Sequence, residues 1–151
     1  MQPVVNAVGS VRGVPSFLMS GEPMSQIRVV AVDGDDGFRD MLSDELCEQG
    51  FEVTAFRDNR SVLAAPDVLS AADLIVLDWG DIGNSGLELL QQLRRQGVNL
   101  PIVFLTRRWL TSNENLALEH GAIDFIDKAR GISILVHRLR IVARIKVPES
   151  R

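Results

Sequence analysis

"LIVLDWGDIGNSG", residues 74–86, is four apolar residues that stop at an aspartate, followed by a glycine-rich, proline-free turn. A continuous apolar run this short, bounded by turn residues, marks a strand buried on both faces, as in a parallel sheet. "SGLELLQQLRRQG" comes next and reads as a helix closed by Gly97. The same strand-then-helix pattern extends in both directions. Upstream, "IRVVAV" (27–32) is a short β-branched run ending at Asp33, and "GFRDMLSDELCEQG" carries Phe38, Met41, Leu42 and Leu46 at helical spacing up to Gly50. "FEVTAF" (51–56) alternates like a strand, and a weaker helical stretch around Ser61 to Leu69 is disturbed by Pro66.

Downstream, "LPIVFLT" (100–106) is a second doubly buried strand. The helix "TSNENLALEHG" follows, with Thr111 and Glu114 spaced as a capping box and Gly121 closing it. "AIDFID" supplies a fifth strand and "SILVHRLRIVARI" a final helix, with Ile134, Leu135, Leu139, Val142 and Ile145 on or near one face. Five strands alternating with five helices predict an α/β fold, a doubly wound five-stranded parallel sheet covered on both faces. Such folds place their sites at the carboxyl ends of the strands.

Composition is consistent with one domain of this kind. The chain has 151 residues, 46% of them hydrophobic, enough for a normal core. A formal net charge of −4 offers no basic stripe for phosphate backbones, which argues against direct nucleic-acid binding. No apolar run approaches the roughly 18 residues of a membrane span. The single Cys47 cannot form an internal disulfide and is read as an inert, buried thiol in a reducing, cytoplasmic setting. Residues 1–25, a Gly, Pro, Ser and Val mixture without period, are expected to be a flexible extension. The domain is expected over 26–146, and 147–151 as the start of a linker.

Four polar residues close four of the strands: Asp33, Asp78, Thr106 and Lys128. In a parallel sheet all four face one edge, so two acids, a hydroxyl and an amine converge. An exposed carboxylate attacks a phosphoryl group when a cation and hydrogen-bond donors neutralise the charge that builds on the phosphoryl oxygens. Magnesium suits such a site, because it takes one or two carboxylates together with phosphate.

The chain from about Ile27 to Ile145 resembles the receiver domain of two-component response regulators. "VVAVDGDD", "LIVLDWGDIGNSG", "PIVFLT" and "GAIDFIDK" carry the resemblance. Asp33 to Asp78 is 45 residues, Thr106 to Lys128 is 22, and Gly86 lies eight after Asp78. The resemblance implies a flavodoxin-like fold in which Asp78 accepts a phosphoryl group from a sensor histidine kinase. It implies that Asp33, Asp78 and the backbone carbonyl of Gly80 hold Mg²⁺, that Thr106 and Lys128 contact the phosphoryl oxygens, and that Phe125 is the rotating aromatic of the switch. The last stretch looks most like OmpR/PhoB-type receivers, in which residues matching Asp124 and Arg138 pair across a homodimer of the fourth helix, fifth strand and fifth helix. A C-terminal effector, DNA-binding in that group, is the implied output.

The active edge departs from the family pattern. The second of the two adjacent acids usual after the first strand is Gly34 here, and Asp35 could reach the metal only if that glycine lets the loop bend. Loss of one carboxylate should weaken Mg²⁺. Asp81-Ile82 replaces the usual Met-Pro, Ala129 the usual Pro, and Arg107 a usual small residue, where a long cation could shield or neutralise Asp78. Trp79 and Trp109 flank this edge and are read as partly packed loop residues.

Two other readings compete. A pseudo-receiver would bind its partner without phosphate, as Gly34 and Arg107 would favour. A haloacid dehalogenase-like phosphatase would use the Asp-x-Asp of "DGDDG" with Asp33 as nucleophile, although the chain lacks that family's downstream acidic pair and cap.

Overall fold

The computed structural model describes residues 10–12, 26–80 and 85–146. Thirteen elements follow in chain order among the described residues. They are β1 (Ser10–Arg12), β2 (Arg28–Val32), α1 (Asp36–Glu48), β3 (Glu52–Phe56), α2 (Asn59–Leu63), α3 (Pro66–Ala71) and β4 (Leu74–Asp78). Then come α4 (Ser85–Arg95), β5 (Ile102–Thr106), α5 (Thr111–Glu119), β6 (Asp124–Asp127), a 3-10 turn (Lys128–Arg130) and α6 (Ile132–Lys146).

The sheet runs β1-β3-β2-β4-β5-β6. Its five longer members are all parallel, with Val30 opposite both Thr54 and Ile75, Val76 opposite Val103, and Phe104 opposite Phe125. This is the expected doubly wound sheet, in the order of the flavodoxin-like fold. One strand is additional. Ser10–Arg12, inside the segment read as an extension, pairs antiparallel with β3 and forms the edge on that side, Val11 opposite Thr54. The rest of 1–25, the turn residues Asp81 and Ile82, and 147–151 lie outside the described residues.

Side-chain alternation divides the core between the two faces. Val29, Ala31, Leu74, Val76, Val103 and Leu105 pack under α1 and α6, against Leu42, Leu46, Leu135, Leu139 and Val142. Val30, Val32, Ile75, Leu77, Ile102 and Phe104 pack under α2 to α5, against Val62, Leu69, Leu90, Leu93 and Ala117. Each of the Val, Leu, Ile and Phe side chains contributes about 1.5–3 kcal/mol by leaving water.

Two local expectations are corrected. The helix disturbed by Pro66 is two helices. Pro66 has no N–H to continue α2 and is instead the first residue of α3, with Ala65 held out of helical geometry at φ −124°, ψ 62°. The capping box at Thr111 does not form, because α5 starts one residue earlier than that motif requires. Leu110 is the N-cap, Thr111 is already inside the helix, and no side chain caps it.

Candidate phosphoryl-transfer site

From β2 the chain goes to β3 on one side and then crosses back over β2 to β4 on the other, so the strand order reverses beside β2. Crevices at such reversals, outside the carboxyl ends of the strands, are where these folds bind ligands. Asp33 and Asp78 stand there.

Lys128 joins them. Its ammonium lies 2.8 Å from Asp33 Oδ2 and 3.1 Å from Asp78 Oδ1. It also stands 4.3 Å above the centre of the Phe38 ring, on the first turn of α1, an apolar platform that fixes it. The two acids differ in access: the side chain of Asp33 is 4% exposed and that of Asp78 is 29%. Asp33 is tied down further. Its Oδ1 accepts from the Asp35 N–H at 2.9 Å, and its carbonyl accepts from Arg39 Nη1 at 2.8 Å. Asp33 Oδ2 is buried and receives no aligned hydrogen bond, only the ion pair with Lys128.

Asp35 is the N-cap of α1, its Oδ1 accepting from the Phe38 N–H at 3.1 Å. That backbone bond holds its carboxyl below the usual carboxylate range, with the charges of Arg107 and Lys128 acting in the same direction against partial desolvation. Its Oδ2 forms an ion pair with Arg107. Asp33, Gly34, Asp35, Asp78 and Arg107 together line a cavity of about 310 Å³. Gly80, at φ 93°, is not among the lining residues.

Thr106 is buried at the end of β5, and its hydroxyl closes a local turn, donating to the Arg108 carbonyl at 3.0 Å and accepting from the Arg108 N–H at 3.1 Å. Phe125 is buried, edge-on to Trp79 at 5.2 Å between ring centres and to Phe104 at 6.4 Å. Trp79 is the largest difference from the sequence reading. It is 2% exposed, not a loop residue, because the ladder continues past Asp78 with the Trp79 N–H bonded to the Leu105 carbonyl at 2.8 Å. Trp109 is 42% exposed and borders a second cavity with Glu114, Phe125 and Arg138. Asp124 and Arg138 meet within the chain at 3.4 Å. Cys47 is half-buried. The platform of Phe38 and the Arg39 bond to Asp33 had no sequence signal beyond helical spacing.

A site of two convergent carboxylates, a buried ammonium and a hydroxyl at the ends of four parallel strands has a close parallel among known proteins. Residues 29–140 match the response regulator receiver domain. The chain belongs to this family. It is 34% identical over 125 residues to the alkaline phosphatase synthesis transcriptional regulatory protein SphR of Synechococcus elongatus, covering 78% of this chain and 49% of that protein. It is 33% identical over 126 residues to response regulator MprA of Mycolicibacterium vanbaalenii, covering 82% and 53%. The chain thus spans about half the length of the curated relatives it matches.

Among solved structures, the BeF₃-activated N-terminal receiver domain of Klebsiella pneumoniae RstA superposes with a TM-score of 0.69 at 30% identity, covering 78% of this chain and 98% of that one. A Francisella response regulator receiver domain gives a TM-score of 0.71 at 27% identity, covering 79% and 98%. This receiver is therefore a two-component signalling domain related to transcriptional regulators. Neither competing reading is favoured. The phosphatase reading also needs Asp33 as an accessible nucleophile, whereas Asp33 is the buried acid of the pair.

Receiver domains generally bind Mg²⁺ at the phosphorylation site. The donors here are hard oxygens and include Asp33 Oδ2, buried with only an ammonium beside it, so the residues fit such an ion. The donor set is small, however: among the described residues no three His, Cys, Asp or Glu side chains converge as a metal site. No helix among the described residues is long and apolar enough to cross a membrane.

Proposed function

We propose that this chain accepts a phosphoryl group on Asp78 from a sensor histidine kinase and passes the change to an effector through the face formed by α5, β6 and α6. The observation that carries the reading is the asymmetry of the acid pair: both touch Lys128, but only Asp78 reaches solvent, where a donor can meet it. One Asp78 oxygen attacks phosphorus, the bond from phosphorus to the donor's imidazole nitrogen breaks, and that nitrogen takes a proton as the acyl phosphate forms. Lys128 neutralises charge on the phosphoryl oxygens. A divalent ion, when bound, adds positive charge there, and the Asp33 and Asp78 carboxylates with the Gly80 carbonyl would hold it.

Thr106 would exchange its bonds to Arg108 for one to a phosphoryl oxygen, and Phe125 would follow. The surface pair Asp124 and Arg138 lies on the face that moves, and homodimerisation there would trade this pair for one across the interface. A DNA-binding effector joined beyond residue 147 is the natural output for a domain related to transcriptional regulators. Residues 26–146 are the receiver unit, working in the cytoplasm. Receiver domains are in general not turnover enzymes, and the phosphoryl group here is carried rather than released.

The test is incubation of the full chain with a small phosphodonor and Mg²⁺, followed by intact mass and a phosphate-affinity gel. A single phosphate adduct is expected, absent in Asp78→Asn. An adduct of equal yield in Asp78→Asn refutes the assignment.

A further inference from the structure

Arg107 immediately follows Thr106, and Asp35 lies 72 positions earlier, yet their side chains meet across the mouth of the cavity that holds Asp33 and Asp78. Asp35 is next to the proposed metal donors, since its own N–H binds Asp33 Oδ1. One of its carboxylate oxygens caps α1 and the other is held by Arg107. It is thus a third acid at the pocket whose outward oxygen is already neutralised by a cation of the chain itself.

We propose that Arg107 sets the affinity of this site for divalent cations. Its guanidinium acts as a tethered counter-cation that keeps Asp35 out of the donor set, so an incoming ion meets two carboxylates instead of three. The inference rests on the reading of Asp33 and Asp78 as the metal and phosphoryl site. Arg107 is half exposed, and an exposed ion pair is weak and screened by salt, so the contact is one that can open. Affinity for hard divalent ions rises with the number of charged oxygen ligands, so releasing Asp35 strengthens the site.

A double-variant titration tests this. The full chain, Arg107→Ala, Asp35→Asn, the two combined and Asp78→Asn are titrated with MgCl₂ at constant ionic strength, by calorimetry and by tryptophan emission, Trp79 lying beside Asp78. Asparagine caps a helix as well as aspartate, so the start of α1 is kept in both variants that carry it. Arg107→Ala is expected to bind Mg²⁺ about tenfold more tightly, the scale on which groups around a metal site tune it. Adding Asp35→Asn should remove that gain. Equal affinity of wild type and Arg107→Ala overturns the proposal, as does a gain that survives Asp35→Asn, which would be a general charge effect. Mg²⁺ binding that is unchanged by Arg107→Ala but lost in Asp78→Asn overturns the role of Arg107 alone. No Mg²⁺ binding by any variant overturns both it and the metal site it rests on.

Discussion

Replacing Gly86 by alanine tests the packing that sets β4, the strand ending at Asp78, against α4. A Cβ at this position would stand 2.3 Å from the Asp78 carbonyl oxygen and 3.0 Å from both Trp79 Cα and Phe104 Cε1. Two of these three atoms are backbone and cannot rotate away. Restoring ordinary contact would push the start of α4 about 1 Å off the end of β4. Overpacking of this kind costs about 1–3 kcal/mol. The withdrawal also stretches the 3.0 Å bond from the Gly86 N–H to the Trp79 carbonyl, a bond of a kind worth about 0.5–1.5 kcal/mol.

Against these terms stands the helical advantage of alanine over glycine, about 1 kcal/mol. The clash wins, and Gly86→Ala should lose about 1–3 kcal/mol. Gly37→Ala is the matched control. It lies exposed on the first turn of α1, and its Cβ would meet nothing nearer than Asp35 Oδ1 at 3.6 Å. There the helical term acts alone, and a gain of up to about 1 kcal/mol is expected. Urea unfolding followed by tryptophan emission, with equal m-values, measures both. If Gly86→Ala is as stable as wild type, or both variants shift the same way, the close approach of α4 to Asp78 is wrong.

Two further predictions concern the same edge. Trp79→Ala should cost about 3–5 kcal/mol, as for a large aromatic removed from a core, and a loss below about 1 kcal/mol would return Trp79 to the surface. Gly34→Asp should be accommodated, because a Cβ there meets only the Arg57 carbonyl oxygen at 3.6 Å. It should raise Mg²⁺ affinity by about an order of magnitude through the added carboxylate, while costing about 1 kcal/mol without the ion through like-charge repulsion. Thermal melts with and without MgCl₂ read both effects, and an unchanged Mg²⁺ response would show that residue 34 does not face the metal.

The sheet, its direction and four strand-end residues were legible in the sequence because period-two burial and abrupt polar stops are local signals. Trp79 carries a signal that places it in the core rather than in a loop. Ile75, Leu77 and Trp79 occupy alternate positions and share one face and one cluster, so carrying the strand period one residue past Asp78 places the indole in the core. The split at Pro66 was visible as a disturbance but not as a new helix start, which depends on where Ala65 can turn. The strand at Ser10–Arg12 and the Arg107 contact with Asp35 leave no periodic trace. Each depends on which distant segment the fold brings alongside, β3 in one case and the start of α1 in the other.

The arrangement around Phe125 bears on how such a receiver would switch. Turning the ring outward breaks edge-on contacts to Trp79 and Phe104, each worth about 0.5–1.5 kcal/mol. Freeing the Thr106 hydroxyl from Arg108 costs a further 0.5–1.5 kcal/mol or about that. A hydroxyl bond to a charged phosphoryl oxygen returns about 1.5–3 kcal/mol. A cavity bordered by Phe125, Trp109 and Arg138 lies beside the ring. Loss and return are therefore of similar size. Because Trp79 is bonded directly to Asp78 in the chain, any shift of the Asp78 backbone would also act on one wall of the Phe125 site. On the proposed function, such a balance means that phosphorylation would shift a population rather than lock a state, and a second interaction on the α5–β6–α6 face, from a dimer partner or an effector, would complete the change.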